Sequence, residues 1–305
     1  MTYCTLSKVP RVNLIDEDLL DTIWWTRKSL SAVLIVDGNE YIADIINKIK
    51  RSIRIEAINP SRDDILGLDV DLVIGVGNWR AINKAKILTC TLTANGQLGL
   101  LGVKKPVEKA YMVLIPSNSL RLTFSPRIII GEPHNMILEH PCAIPHEILL
   151  LRKYLDNSIE LRCERKLLEI LLPLKHGINF NDPSSILEAY TVNLGIIDAL
   201  TDALVLVGVD PVTSIIVSSI VSVRLGLVRL DISIEREPLE KLISQCCKPQ
   251  TYDIREDVLL ENVIRSTQLY HGTPPPPRMV KEAVKRVAEL LRNIQLYNKP
   301  RGLKS

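Results

Sequence analysis

Residues 70–87 constrain the fold more than any other part of the chain. Val70-Asp-Leu-Val-Ile-Gly-Val-Gly is an apolar run ending in glycine, and it opens almost directly into a helical pattern over Arg80 to Ile87. A strand apolar on both faces belongs inside a parallel sheet, and parallel neighbours need crossover connections, usually helices. The preceding chain supplies them. Ser31-Ala-Val-Leu-Ile-Val-Asp37 is a second such run, closed by Asp37-Gly38. Tyr41 to Arg51 then places Ile42, Ile45, Ile46 and Ile49 at the spacing of a helix lying on a sheet, and Ile53 to Ile58 reads as the next strand. Strand, helix, strand, strand and helix at short intervals predict a parallel α/β sheet.

Extended segments continue over Ala110 to Pro116 and Arg127 to Gly131, in a stretch punctuated by prolines. Beyond Pro145 helical patterns take over: Glu147 to Leu155, Leu161 to Leu174, Ser185 to Val207, Pro211 to Leu227, Pro238 to Ser244 and Met279 to Leu296. A domain boundary is therefore expected near residue 140, with an α/β domain over 1–140 and a helical domain over 141–305. Thr273-Pro-Pro-Pro-Pro reads as a rigid spacer before the last helix. The most apolar stretch, Ala203 to Val228, is broken by Asp210-Pro211 and carries Arg224, so it reads as a buried core helix and not as a membrane span.

With 38 Lys and Arg against 35 Asp and Glu, the signs are balanced and interleaved, and no nucleic-acid partner is expected. The 46% apolar fraction is almost wholly aliphatic, which fits a globular chain, a heat-adapted one included. Of the 6 cysteines, none forms a C-x-x-C pair, and Cys246 and Cys247 are adjacent. Zinc-finger and thioredoxin chemistry lose their spacing, and a secreted disulfide framework is not expected at this length. The first residues hold no apolar run with a cleavage site, so no signal peptide and a cytoplasmic location are expected.

Candidate chemistry centres on the turn Gly75-Val-Gly77-Asn78-Trp79, where a strand enters a helix and backbone amides can face an anion. A tight strand-to-helix turn needs glycine with or without a phosphate, so the glycines alone favour a structural role. His134, His140 and His146 recur at six-residue intervals with Glu132, Glu139, Cys142 and Glu147, a ligand-rich loop whose spacing is not that of a helical metal site. Trp24 and Trp25 form either an interaction patch or, more commonly, part of a helix covering the sheet. There is no G-x-S-x-G elbow and no Walker loop.

Residues 73–86 resemble the dehydroquinate-synthase-like superfamily, and within it the archaeal-type glycerol-1-phosphate dehydrogenases. Val73, Ile74, Gly75, Val76, Gly77, Ile82, Ala85 and Lys86 agree with the family's Val-Ile-Gly-Val-Gly-Gly-Gly-x-Val-Ile-Asp-x-Ala-Lys stretch. Asp37, Asn39 and Tyr41 match a D-x-N-x-Y pattern after the first strand, and Pro126 to Pro133 is similar to a Pro-x-x-Ile-Ile-x-Asp-Pro strand. The resemblance implies a Rossmann-like parallel-sheet N-terminal domain followed by an all-helical C-terminal domain. It implies NAD(P) held around Asp37, Asn39, Gly75, Gly77, Asn78, Trp79 and Asn83, and a zinc ion, wherever the family's activity is kept. The partner would be a small phosphorylated substrate, or a protein if catalysis is lost; a homo-oligomer stays open.

The departures from the family lie at the site itself. Its second and third glycines are Asn78 and Trp79 here, and its aspartate is Asn83. A bulky side chain where a diphosphate approaches bare backbone is expected to obstruct it, and a positive φ there would cost about 1 kcal/mol or more. The resemblance also implies an Asp and two His as metal ligands, a catalytic zinc keeping a fourth position open. The corresponding helices offer Asp198 and Asp202 without a histidine, Asp156 is one residue out of step, and His176 and His271 each precede a glycine in an expected turn. Set against the resembled family, the chain also looks shortened between Lys86 and Ala110, and the family's Asp-Gly after that segment is missing. These features together predict a relative of glycerol-1-phosphate dehydrogenase with altered cofactor and metal sites, weakly active or acting as a partner or regulatory protein. An active NAD(P)-dependent dehydrogenase is the alternative.

Overall fold

The computed structural model describes residues 9–16, 18, 20, 23, 30–37, 41–96, 110–131, 136–172, 177–228, 236–247, 250, 252–267 and 275–294. Its strands are β1 (Arg11–Ile15), β2 (Ser31–Asp37), β3 (Arg54–Ile58), β4 (Leu72–Gly77), β5 (Tyr111–Pro116), β6 (Arg127–Ile130), β7 (Met136–Glu139) and β8 (Glu147–Leu151). The helices are α1 (Tyr41–Ser52), α2 (Trp79–Thr93), α3 (Leu120–Phe124), α4 (Arg152–Asn157), α5 (Ile159–Leu171), α6 (Pro183–Thr191), α7 (Ile196–Leu206), α8 (Pro211–Arg224), α9 (Arg236–Cys246), α10 (Glu256–Thr267) and α11 (Pro277–Arg292).

A parallel sheet of 6 strands in the order β1-β8-β5-β4-β2-β3 carries the first part of the chain. From β2 the chain steps outward to β3, returns to the other side of β2 as β4, and continues to β5 and β8. The connection therefore reverses between β2 and β4. Crevices outside the carboxyl ends of strands at such a reversal are where open α/β sheets bind ligands. Every residue of β4 is buried, as its apolar run predicts for a central strand. Val33, Ile35, Val73, Met112 and Leu114 form one core with Ala81, Ile82, Ala85, Leu88 and Leu92 of α2.

Two helical readings are corrected. Glu147 to Leu151 is the fully buried strand β8, not the start of a helix. A short apolar run of this kind has no period to separate strand from helix, and here the open edge of β5 and the partner β1 decide it. Ser185 to Val207 is two helices, α6 and α7, because Gly195 takes φ 60 between them. There Asp198 Oδ2 accepts the Leu194 amide at 2.8 Å and Asn193 Oδ1 accepts the Gly195 amide at 2.8 Å. β1 and α10 had no signal in the reading. Trp24, Trp25 and the start of the proline spacer, Thr273 and Pro274, lie outside the described residues, while Pro276 caps α11 and Pro277 begins it.

The chain divides into two compact units, 1–128 with 138–162 and 179–191, and 129–137 with 163–178 and 192–305. The second is built around α8, buried from Pro211 through Ser222 and packed by α7, α9 and α11. Asp210 starts this helix by accepting the Thr213 amide at 3.0 Å, and its other oxygen accepts the Tyr252 hydroxyl at 2.8 Å. Among the described residues no single helix is long and apolar enough to cross a membrane.

Disulfides were not expected, yet Cys90 on α2 bonds Cys142, and Cys163 on α5 bonds Cys246 on α9. These pairs are 52 and 83 residues apart, so sequence spacing hides what the fold brings together. Closing loops of that length stabilises the folded chain by about 4 kcal/mol each in the chain-entropy picture. Cys90→Ser and Cys163→Ser are each expected to lower the unfolding free energy by about that amount in urea under non-reducing conditions. Equal midpoints for oxidised and reduced protein would contradict this. Burial pushes the Cys247 thiol up to about 12, Asp210 adding to the rise and a hydrogen bond with Thr213 opposing it. The folded state thus holds this proton more tightly. Its contribution to stability is complete below the ordinary thiol range and is lost as pH climbs toward 12. Peptide mapping after iodoacetamide at neutral pH should find Cys247 unlabelled until the chain is unfolded.

Candidate functional site

The β2–β4 reversal brings several of the expected site residues to one place. Asp37 ends β2, and its Cα partner across the ladder is Gly77, the end of β4. The Asn78 amide donates to the Asp37 carbonyl at 2.9 Å, and the Ser117 amide donates to the Gly77 carbonyl at 2.8 Å. The ends of β2, β4 and β5 are thus laced together. Gly77 takes φ 121, and a Cβ on it would collide with the Asp37 carbonyl oxygen and lie 2.8 Å from Ile42 Cδ1. Gly75 is demanded by a different neighbour, since its Cβ would stand 2.8 Å from Ala85 Cβ and 2.9 Å from Leu114 Cδ2. Both glycines are therefore explained by packing of strand on strand and of α2 on the sheet.

The N-terminus of α2 lies at this reversal of the sheet. The first amides of a helix lack intrahelical partners and attract anions. Here the chain supplies the acceptors itself. Asn78 is the N-cap, and its Oδ1 accepts the Arg80 amide at 2.9 Å and, more loosely, the Ala81 amide at 3.4 Å. The Trp79 amide donates to Asn118 Oδ1 at 3.0 Å. The Ile82 amide already closes the first helical bond on the Asn78 carbonyl at 3.1 Å.

Asn78 sits at φ −73 and Trp79 is helical, so the expected backbone strain is absent and positive φ falls on Gly77 alone in this turn. What stands at this turn is a set of occupied amides and a half-buried indole. The Arg80 guanidinium lies 5.7 Å from the Trp79 ring centroid, within cation–π range. Asn83 is one turn further along α2, half-buried and away from the capped amides. Asn39 lies outside the described residues. Lys86 is 1% exposed, and its ammonium donates to the carbonyls of Leu122 at 2.5 Å and Ser125 at 2.6 Å, which fastens α3 to α2.

Among the described residues, the histidine loop does not gather as a metal site. His140 Nδ1 accepts the Cys142 amide at 3.1 Å, and Cys142 is spent in its disulfide. His146 stacks on Tyr111 at 4.3 Å between ring centroids, and its Nδ1 accepts the Met112 amide at 2.9 Å. Glu147 is 1% exposed and accepts Asn13 Nδ2 at 2.5 Å across β1 and β8. Burial first, and then this carboxylate, hold the Tyr111 hydroxyl above the usual tyrosine range against the opposing charge of Arg11. Glu132, His134, His176 and His271 fall outside the described residues. Asp156 is exposed, whereas Asp198 and Asp202 share a face of α7, each 3% exposed. Among the described residues no three His, Cys, Asp or Glu side chains come together as a metal site. The described donor set therefore does not fit the zinc that the resemblance implies.

Asn118 escaped the sequence reading. Its signal was faint: a polar turn, Ser117-Asn118-Ser119, directly after a strand that ends at the sheet's carboxyl edge.

Gly77→Ala is expected to cost at least about 3 kcal/mol, because a main-chain oxygen must move. Gly75→Ala should cost about 1–3 kcal/mol, because Ala85 and Leu114 have some room to yield. Urea unfolding of the two variants orders them, and equal losses would contradict the geometry.

No family model matches the sequence, and no curated protein matches it. Solved structures do match in shape. An iron-containing alcohol dehydrogenase superposes with a TM-score of 0.64 at 15% identity, covering 92% of this chain and 98% of the other. Glycerol dehydrogenase from Schizosaccharomyces pombe gives 0.53 at 14%, covering 96% and 92%. 2-Deoxy-scyllo-inosose synthase, complexed with carbaglucose-6-phosphate, NAD+ and Co2+, gives 0.58 at 10%, covering 90% and 95%. The chain has the two-domain fold shared by iron-containing alcohol dehydrogenases, glycerol dehydrogenases and dehydroquinate-synthase-like enzymes, a parallel six-stranded α/β part with a helical part.

Proposed function

We propose that this protein is a diverged relative of the NAD-dependent dehydrogenases of this fold, with an altered cofactor site, little or no turnover, and a role as a partner or regulatory protein. The observation that carries the reading is the N-terminus of α2. Its first three amides are already bonded to the carboxamides of Asn78 and Asn118, and an indole stands at the first helical position. A diphosphate would have to displace two hydrogen-bonded side chains and pass Trp79. Each hydrogen bond is worth about 1 kcal/mol net and leaves a costlier orphan when broken. No step is assigned to a dinucleotide or to a metal.

The competing reading is an active NAD(P)-dependent oxidoreductase similar to glycerol-1-phosphate dehydrogenase, reducing dihydroxyacetone phosphate. It draws on the retained pairing of Asp37 with Gly77 at the carboxyl edge of the sheet, and on neighbours such as an NADH-dependent butanol dehydrogenase and a sulfoacetaldehyde reductase bound to NAD+.

Purified protein is expected to leave NADH and NADPH unoxidised when dihydroxyacetone phosphate is added. Oxidation that depends on this substrate and disappears with a chelator would overturn the proposal. The double variant Asn78→Gly with Trp79→Gly is expected to gain dinucleotide affinity measurable by fluorescence. Absence of any gain would show that more than this turn has been lost.

A further inference from the structure

We infer that Asn118 is an internal occupant of the α2 N-terminus, a side chain that closes the site to anions from a second loop. This rests on the reading that the turn between β4 and α2 no longer accepts a dinucleotide. An N-cap side chain reaches the second and third amides of its helix, as Asn78 does with Arg80 and Ala81. The first amide is out of its reach and is left to another side chain, to water or to a ligand. In this chain the acceptor comes from 39 residues further on, in the turn after β5.

The turn is held on both sides of Asn118. Ser117 donates to the Gly77 carbonyl at 2.8 Å, which carries the β4–β5 ladder past the ends of both strands. Ser119 is 1% exposed, and its carbonyl accepts the Thr123 hydroxyl at 2.6 Å at the start of α3. Lys86, reaching from α2 to the carbonyls of Leu122 and Ser125, fixes the far end of α3 to the same helix. The Asn118 carboxamide is therefore held at the Trp79 amide by a backbone bond to β4 on one side and by the Thr123 hydroxyl of α3 on the other. The first amide is satisfied by a neutral dipole, and an anion gains nothing from that amide until Asn118 is withdrawn.

The test uses the full chain with inorganic pyrophosphate as the probe, read by thermal unfolding and by hydrogen exchange at the Trp79 amide. Wild type is expected to show no pyrophosphate-dependent shift. Asn118→Ala is expected to melt a few degrees lower, to exchange the Trp79 amide about ten-fold faster, and to recover part of the lost stability with pyrophosphate. Asn118→Asp keeps an acceptor in place and should melt no lower than wild type and ignore pyrophosphate, which covers the case of an alanine variant that fails to fold. An Asn118→Ala protein matching wild type in both readouts would overturn the inference, as would an Asn118→Asp protein that gains a pyrophosphate response. The two readings separate on NADH binding. Wild type that binds NADH, with Asn118→Ala binding it more tightly, would sink the loss of the cofactor site and leave Asn118 as the occupant. Wild type blind to NADH, with Asn118→Ala unresponsive to pyrophosphate, would do the reverse.

Discussion

The contact between β2 and β4 at their carboxyl ends governs the α/β unit. Gly77 has no room for a side chain because the Asp37 carbonyl occupies that space, and the same carbonyl receives the next amide, that of Asn78. Once those strands close in this way, α2 must begin at Trp79, pack over Gly75, and present its first amides at the reversal of the sheet. The position that a nucleotide-binding sheet would offer to a ligand is thus created by packing alone. Whether it is used depends on what fills the amides.

In this chain they are filled from within. One carboxamide comes from the cap and another from the turn after β5, while Trp79 and Arg80, the first two residues of α2, form a cation–π pair. A fold and its chemistry are separable, because glycines required by strand packing are needed whether or not a ligand binds. The same logic applies to Lys86, a motif residue that serves here as a clamp between α2 and α3.

The sheet was legible wherever a strand is buried on both faces and is followed by a periodic helix, as at β2, α1, β4 and α2. Glu147 to Leu151 was not, since five buried residues carry no period and only the neighbours β1 and β5 define them as a strand. The site was half legible. Asp37, Gly75, Gly77, Asn78 and Trp79 were read from a local motif and do meet at one turn, but Asn118 enters through tertiary structure, and Asn83 lies one turn further along α2. The disulfides were hidden for the same reason as Asn118, their partners being 52 and 83 residues apart. The strain expected at Asn78 and Trp79 does not exist, because the bend is absorbed by one residue earlier, at Gly77.

Calorimetric titration of NADH into the oxidised wild-type protein bears most directly on the central claim that the chain's own carboxamides have taken the place of a diphosphate. The account predicts no saturable heat. A one-to-one isotherm with micromolar affinity would contradict it.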